Sequence, residues 1–304
     1  MNRLLSLVAA TFFVIACSPS TGDLGSVATP PPSQEPSIEL PSPEPTPGPS
    51  GGPVVTPAAT AGPTGQTTTL RAYFFLGSFV DNAGLVPVLR DVPKTQAVGA
   101  AAMAALLAGP NDAELSGRPA MYTTVPDGTR FLGLTIDAGV ATVNLSKEFE
   151  SGGGSTNVLG RFAQVVYTLT QFPTVSGVRF EIDGVPPKTV FIGILTRADY
   201  TDQLPAIFVD RPAWGGVLGN PARLVGVANV FEATFRVRIL DGAGRALAAA
   251  SVMASCGSGC WGTFDATIRY TVSKAGWGTL QVFEPSAKDG SRTNITEYPV
   301  WLTP

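Results

Sequence analysis

Arg130-Phe-Leu-Gly-Leu-Thr-Ile-Asp-Ala-Gly-Val-Ala-Thr-Val-Asn-Leu145 alternates apolar and polar residues on both sides of Asp137-Ala-Gly139. Alternation with period two, interrupted by a glycine-bearing turn, predicts two strands, 130–137 and 140–145, joined by a tight connection. Working outward toward the N-terminus, Thr124-Val-Pro-Asp-Gly-Thr129 reads as a turn. Before it, residues 95–108 are rich in Ala, Leu and Met. Val98, Ala101, Ala102, Ala105 and Leu106 form one helical stripe there. Gly109-Pro110 ends that helix, because glycine permits a left-handed cap and proline cannot continue the hydrogen-bond ladder. Residues 69–76 and 85–92 read as strands around Asp81-Asn-Ala-Gly84. The aromatic run Tyr73-Phe-Phe75 suits a strand buried on both faces, and Pro87 places the second strand at a sheet edge. Toward the C-terminus, residues 156–171 predict a helix that turns Leu159, Phe162, Ala163, Val166 and Leu169 to the core. Residues 178–182 add a last strand closed by Asp183-Gly184. The order β-β-α-β-β-α-β predicts an α+β unit, spanning 68–198, with two helices covering one sheet.

From residue 205 to 304 the pattern changes. Short strands at 206–209, 222–227, 234–240, 247–253, 262–270, 278–284 and 298–302 alternate with turns such as Asp241-Gly-Ala-Gly244 and Lys288-Asp-Gly290. About seven strands at this spacing predict an all-β sandwich.

The N-terminus carries Arg3, an apolar run from Leu4 to Ile15, and Val14-Ile-Ala-Cys17. This is the layout of a secretory signal peptide, 1–17, ending in a bacterial lipobox. Small Ala16 fits the processing site, and Cys17 supplies the thiol that takes the lipid. Twelve residues fall short of the roughly 20 that a spanning helix needs. Attached acyl chains hold a bilayer durably, at about 0.8 kcal/mol per buried methylene. The expectation is an extracytoplasmic protein tethered to the cell membrane by Cys17; the alternative is a short transmembrane helix or an uncleaved anchor. Residues 18–67 hold 13 of the 27 prolines and only the charges Asp23, Glu35, Glu39 and Glu44. With no apolar period to build a core, the segment reads as a disordered proline-rich linker. Its residues act either as a spacer or as a ligand for a proline-binding groove.

Once Arg3 and the four linker acids are set aside, 19 basic and 19 acidic residues remain. That balance offers no concentrated basic surface for nucleic acid. The chain contains no histidine, which excludes Ser-His-Asp and Cys-His catalysis and imidazole-dependent zinc sites. No P-loop, dinucleotide fingerprint or GxSxG motif stands where it would act, and Gly152-Gly-Gly154 reads as a flexible loop. No cofactor and no metal are expected.

Leu106-Leu-Ala-Gly-Pro110, Val125-Pro-Asp-Gly-Thr129, Val143-Asn-Leu-Ser-Lys-Glu-Phe149, Val166-Tyr-Thr-Leu-Thr-Gln-Phe172 and Val178-Arg-Phe-Glu-Ile-Asp-Gly184 resemble, in order, the landmarks of the GerMN domain. That family takes its name from sporulation and spore-germination proteins. The resemblance implies a fold like the ring-building motif of envelope assemblies, an interaction module without catalytic residues that could self-assemble. Asp210-Arg-Pro-Ala-Trp-Gly-Gly216, Val225-Gly-Val-Ala-Asn-Val-Phe-Glu-Ala233 and Gly278-Thr-Leu-Gln-Val-Phe-Glu284 resemble the immunoglobulin-like domain (Gmad type) that follows GerMN in spore-germination proteins.

Outside that pattern lies Cys256-Gly-Ser-Gly-Cys260. In an oxidising compartment it reads as a local disulfide, with a redox-active pair as the alternative. Trp261 and Trp277 stand beside the cysteine loop and in a turn-like Ala275-Gly-Trp-Gly278, and either pack or present a partner-binding surface. Trp214 and Trp301 are the other tryptophan candidates, and ordinary sandwich packing explains most tryptophans. Polar Thr168, Thr170 and Gln171 either cap their helix or face a partner. Three functions compete. The first is a non-enzymatic envelope lipoprotein whose modules bind protein or cell-wall polymer. The second is a solute-binding lipoprotein of a transporter. The third is a wall hydrolase using Glu148, Glu150 and Asp183, the first two facing alike if they lie on a strand.

Overall fold

The computed structural model describes residues 65–78, 82–187 and 193–304. The expected signal peptide with Cys17, the proline-rich segment up to residue 64 and the start of the turn at Asp81 lie outside the described residues. Strands β1 (Thr67–Gly77) and β2 (Asn82–Pro93) pair antiparallel. Tyr73, Phe74, Phe75 and Leu76 are all buried, as the aromatic run demands. β2 is an edge strand, and Pro87 tolerates that place because an outer donor is not required of it. The Pro87 carbonyl accepts from the Trp214 N–H at 2.8 Å, so a loop of the second domain covers this edge.

Helix α1 (Val98–Leu107) buries Gly99, Ala102, Met103 and Leu106. The buried stripe is therefore rotated slightly from the one read in the sequence. Gly109 takes the left-handed conformation, φ 77°, and its N–H donates to the Leu106 carbonyl at 3.0 Å. Two short elements follow that periodicity was too brief to reveal: α2 (Asp112–Leu115), held by an Asn111–Glu114 capping box, and β3 (Met121–Tyr122), which pairs with the end of β1. β4 (Phe131–Asp137) and β5 (Val140–Leu145) form the hairpin expected at 130–145. Helix α3 (Ser155–Leu169) crosses over to β6 (Gly177–Ile182), which runs parallel to β5.

The single sheet expected under the helices is instead two, ordered β2-β1-β3 and β4-β5-β6. The reason lies on α3. Gln171 accepts from the Arg71 N–H at 2.8 Å and donates to the Arg71 carbonyl at 2.6 Å. Gln164 donates to the Tyr73 carbonyl at 2.8 Å. Gln164 lies on α3 and Gln171 just past its C-cap, Thr170, and their two side-chain amides take the place of a neighbouring strand's peptide groups. The β1 edge closes on a helix, and α3 is buried without interruption from Gly160 to Leu169.

The second domain contains β7 (Ile207–Arg211), β8 (Val217–Leu218), β9 (Ala222–Ala228), β10 (Thr234–Asp241), β11 (Ala246–Met253), β12 (Gly262–Ile268), β13 (Gly276–Pro285) and β14 (Arg292–Leu302). β8 was not legible, and β14 begins at Arg292 rather than at 298. The strands form a five-stranded sheet, β11-β10-β13-β14-β8, and a three-stranded sheet, β12-β9-β7. This is the expected sandwich. Phe235 meets Phe264 edge to face at 4.9 Å between the sheets. Gly226 is required by close approach: a Cβ there would fall 1.9 Å from the Phe208 carbonyl oxygen. One hydrophobic core runs through both domains, from Ala72 to Leu302.

Candidate binding surfaces at the domain junction

Asp210, on the first strand of the sandwich, reaches into the first domain. Its Oδ1 accepts from the Tyr73 hydroxyl at 2.5 Å and stands 3.4 Å from Arg197 Nη1; its Oδ2 stands 3.7 Å from Arg71 Nη2. Arg197 comes from the connecting 3-10 turn Arg197–Gln203. Its Nε donates to Thr170 Oγ1 at 2.8 Å, and its guanidinium lies 4.7 Å from the Tyr167 ring centroid. Burial first, and then the Asp210 carboxylate, push the Tyr73 hydroxyl up to about 12. The phenol therefore remains a donor at neutral pH. The arrangement is a clamp, with one carboxylate from the second domain facing two guanidiniums and a phenol from the first domain and the connector.

One groove borders the clamp, and a second is lined by other residues of both domains. One, about 370 Å³, is lined by Tyr167, Arg197, Phe208, Asp210, Gly226 and Trp261. The other, about 460 Å³, is lined by residues of both domains, including Leu89, Arg90, Glu114, Trp214, Trp277 and Pro299. The two tryptophans singled out in the sequence thus lie on different grooves. Trp261 is partly buried against the core, whereas Trp277 is 56% exposed and meets Trp301 edge to face at 5.5 Å. Trp214 packs near Tyr298, with ring centroids 6.1 Å apart. The second groove is thus walled by aromatics on the sandwich side and by the Arg90–Glu114 ion pair at 2.5 Å on the other. Such a surface suits a partner with an apolar core contact and a polar rim.

Cys256 and Cys260 stand as a disulfide pair with Cα atoms 5.9 Å apart. The Ser258 N–H donates to the Val230 carbonyl, and the Ser258 hydroxyl accepts from the Glu232 N–H at 3.0 Å. The loop is therefore tied to the 230–233 turn next to Trp261.

The carboxylates considered for hydrolysis do not gather. Glu148 and Glu150 lie on a 3-10 turn, Lys147–Glu150, not on a strand, so spacing by two does not make them face alike. Hydrogen bonding by Ser146 holds the Glu148 carboxyl below its ordinary value, the wrong direction for a general acid. Asp183 is exposed in the turn after β6.

Three polar residues that the sequence left open turn inward. Thr170 and Gln171 are bonded within the domain, and Thr168 is fully buried. Gly152-Gly-Gly154 is likewise no open loop. The carbonyls of Phe149, Ser151 and Gly152 accept from the buried Arg161 guanidinium at 2.6, 3.0 and 2.7 Å. Sequence reasoning missed Arg71, Tyr73, Arg161, Gln164, Arg197 and Asp210. Tyr73 and Asp210 are 137 positions apart, and no local pattern joins them. No described helix is long and apolar enough to cross a membrane.

Comparison with known families matches residues 71–188 to the Germane family, described as sporulation and spore germination. Residues 206–291 match Gmad2, the immunoglobulin-like domain of bacterial spore germination. Among solved structures, the first GerMN domain of the sporulation protein GerM from Bacillus subtilis is 19% identical, covering 45% of this chain and 97% of that one, TM-score 0.32. The tandem GerMN domains of the same protein are 16% identical, covering 68% of this chain and 63% of that one, TM-score 0.35. A presumed lipoprotein from Clostridium perfringens is 20% identical, covering 45% and 93%, TM-score 0.31. No curated protein matches the chain.

Proposed function

From a Germane domain followed by a Gmad2 immunoglobulin-like domain, we propose that this chain is a non-enzymatic lipoprotein, anchored through Cys17 on the outer side of the cell membrane. Its two modules bind an envelope protein or wall polymer as one body. The observation that carries the binding reading is Trp277. A half-exposed indole, braced by Trp301, stands at a groove built from both domains. Large aromatics in such positions dominate interface energies, because they bury much surface and lose little side-chain freedom. Trp261, in the groove that borders the clamp, offers a second anchor. The shared core and the Asp210 clamp support presentation of both grooves in fixed geometry.

In-cell crosslinking of the full chain, followed by identification of bound material, tests the reading. Trp277→Ala is expected to cut partner capture by roughly tenfold or more, the scale of a hot-spot anchor, with the melting temperature nearly unchanged. Trp261→Ala should weaken capture less. Full capture with both indoles removed would locate binding elsewhere.

Anchoring is tested separately. Cys17→Ala should abolish the mature acylated form and leave an unprocessed or mislocalised chain, since the thiol is the acyl acceptor. Mass measurement that finds the normal acylated product in that variant removes the lipobox reading.

A further inference from the structure

Among the described residues, the outermost strand of the five-stranded sheet, β11, pairs only with β10. Its sequence, Ala-Leu-Ala-Ala-Ala-Ser-Val-Met, contains neither a charge nor a proline. Other described edges are blunted: β3 has two residues, and β7 has a register shift at Val209/Arg211 beside the ion-paired Asp210. β2 carries Pro87 and is met by Trp214, β6 is met by Leu195, and β8 has two residues. β4 has a register shift at Phe131/Gly133 and ends on Asp137, and β12 carries Asp265, ion-paired with Arg223. Uncharged edges without such devices are templates for another strand.

The register fixes which groups are free. The Ala254 N–H donates to the Ala233 carbonyl, in line with the β10–β11 pairs. Antiparallel pairs alternate, so Ala248, Ala250 and Val252 bond to β10, while Ala249, Ser251 and Met253 turn their N–H and C=O outward. No described backbone group outside the strand meets them. All three residues are exposed, Met253 at 73%.

We propose that β11 is a dimerisation edge: a second copy of this chain adds its own β11 antiparallel across a two-fold axis, joining two five-stranded sheets into one. Small Ala and Ser side chains form no pockets with which to read a foreign strand. The strand itself carries no charge to oppose its own copy; the cation near the axis is Arg236 of the adjacent strand, which donates to the Ser251 hydroxyl. A register shift at Ile239/Leu240 interrupts β11 near Leu247, leaving Ala249, Ser251 and Met253 as the regular outward set. An axis through Ser251 lets all three exchange hydrogen bonds, with Ala249 opposite Met253 of the second copy. One strand pair buries less than a standard interface, so the dimer belongs to a crowded membrane surface rather than to dilute solution.

The test uses the full chain in the cells that make it. Ser251→Cys, at the axis, should give a dimer with a short bifunctional maleimide; Lys288→Cys, in a distant exposed turn, should not. Adding Ala249→Glu with Met253→Glu sets like charges opposite each other, and the dimer yield should fall roughly fivefold or more. Ala249→Glu with Met253→Lys sets opposite charges together and should restore it. These side chains are on the solvent face, and circular dichroism melting checks that each variant folds. No dimer from Ser251→Cys, equal yield from Lys288→Cys, or a yield indifferent to the charge pairs would overturn the proposal.

Discussion

Asp210→Ala is expected to destabilise the chain by about 3–5 kcal/mol, the cost of breaking a buried pair and leaving its cations uncompensated. The side chains of Asp210, Arg71 and Arg197 are 13%, 15% and 30% exposed. Removing the one carboxylate strands two guanidiniums and takes away the acceptor of the Tyr73 hydroxyl. A domain's whole stability is about 5–15 kcal/mol, so the denaturation midpoint should fall steeply. Arg223→Ala provides the contrast. Its pair with Asp265 is closer, 2.6 Å, but is 68% and 51% exposed, and its loss should leave the denaturation midpoint nearly unchanged. Alkali gives a further reading. The Tyr73 hydroxyl is raised above its unfolded value of about 10, so the stability it contributes is full below that pH and fades as pH rises toward 12. Equal midpoints for the Asp210 and Arg223 variants would mean that the clamp does not hold the domains together.

The clamp also marks where the sequence stopped speaking. Hairpin, crossover helix and sandwich were legible because each rests on local rules: alternation around Asp137-Ala-Gly139, a glycine cap at Gly109, a proline at the β2 edge. The paired landmarks resemble, in order, the two families whose models match residues 71–188 and 206–291. The division of the first domain into two sheets was not legible, because it depends on Gln164 and Gln171 acting as a strand's peptide groups. A glutamine on a helix has no sequence mark for that role. Arg161 carries no sequence mark of its buried place; the carbonyls that hold it are an outcome of tertiary folding. The site candidates fared in a similar way. Trp277 reads as turn-like in the sequence but lies on β13 opposite Trp301, and the groove beside it needs Leu89 and Arg90 from the other domain.

Gln164→Leu should be nearly as damaging as the loss of Asp210, by a different route. The side chain is fully buried. Its oxygen accepts from the Thr124 N–H at 2.8 Å and the Thr124 hydroxyl at 2.9 Å, while its amide donates to the Tyr73 carbonyl. Leucine fills the volume but leaves those groups unpaired away from water, at about 1–3 kcal/mol each. A total loss of about 3–5 kcal/mol is expected, read from chemical denaturation. Gln164→Glu separates hydrogen bonding from packing. The glutamate keeps the acceptor for Thr124, but in its ionised form it faces the Tyr73 carbonyl without a proton. Burial raises its folded-state value above the unfolded one of about 4.3, so its stability is full in acid and is lost as pH rises through the folded value. The variant should approach wild type near pH 4 and fall well below it at pH 7. A pH-independent deficit would show that the helix holds β1 by packing alone, and the amide account of the divided sheet would then fail.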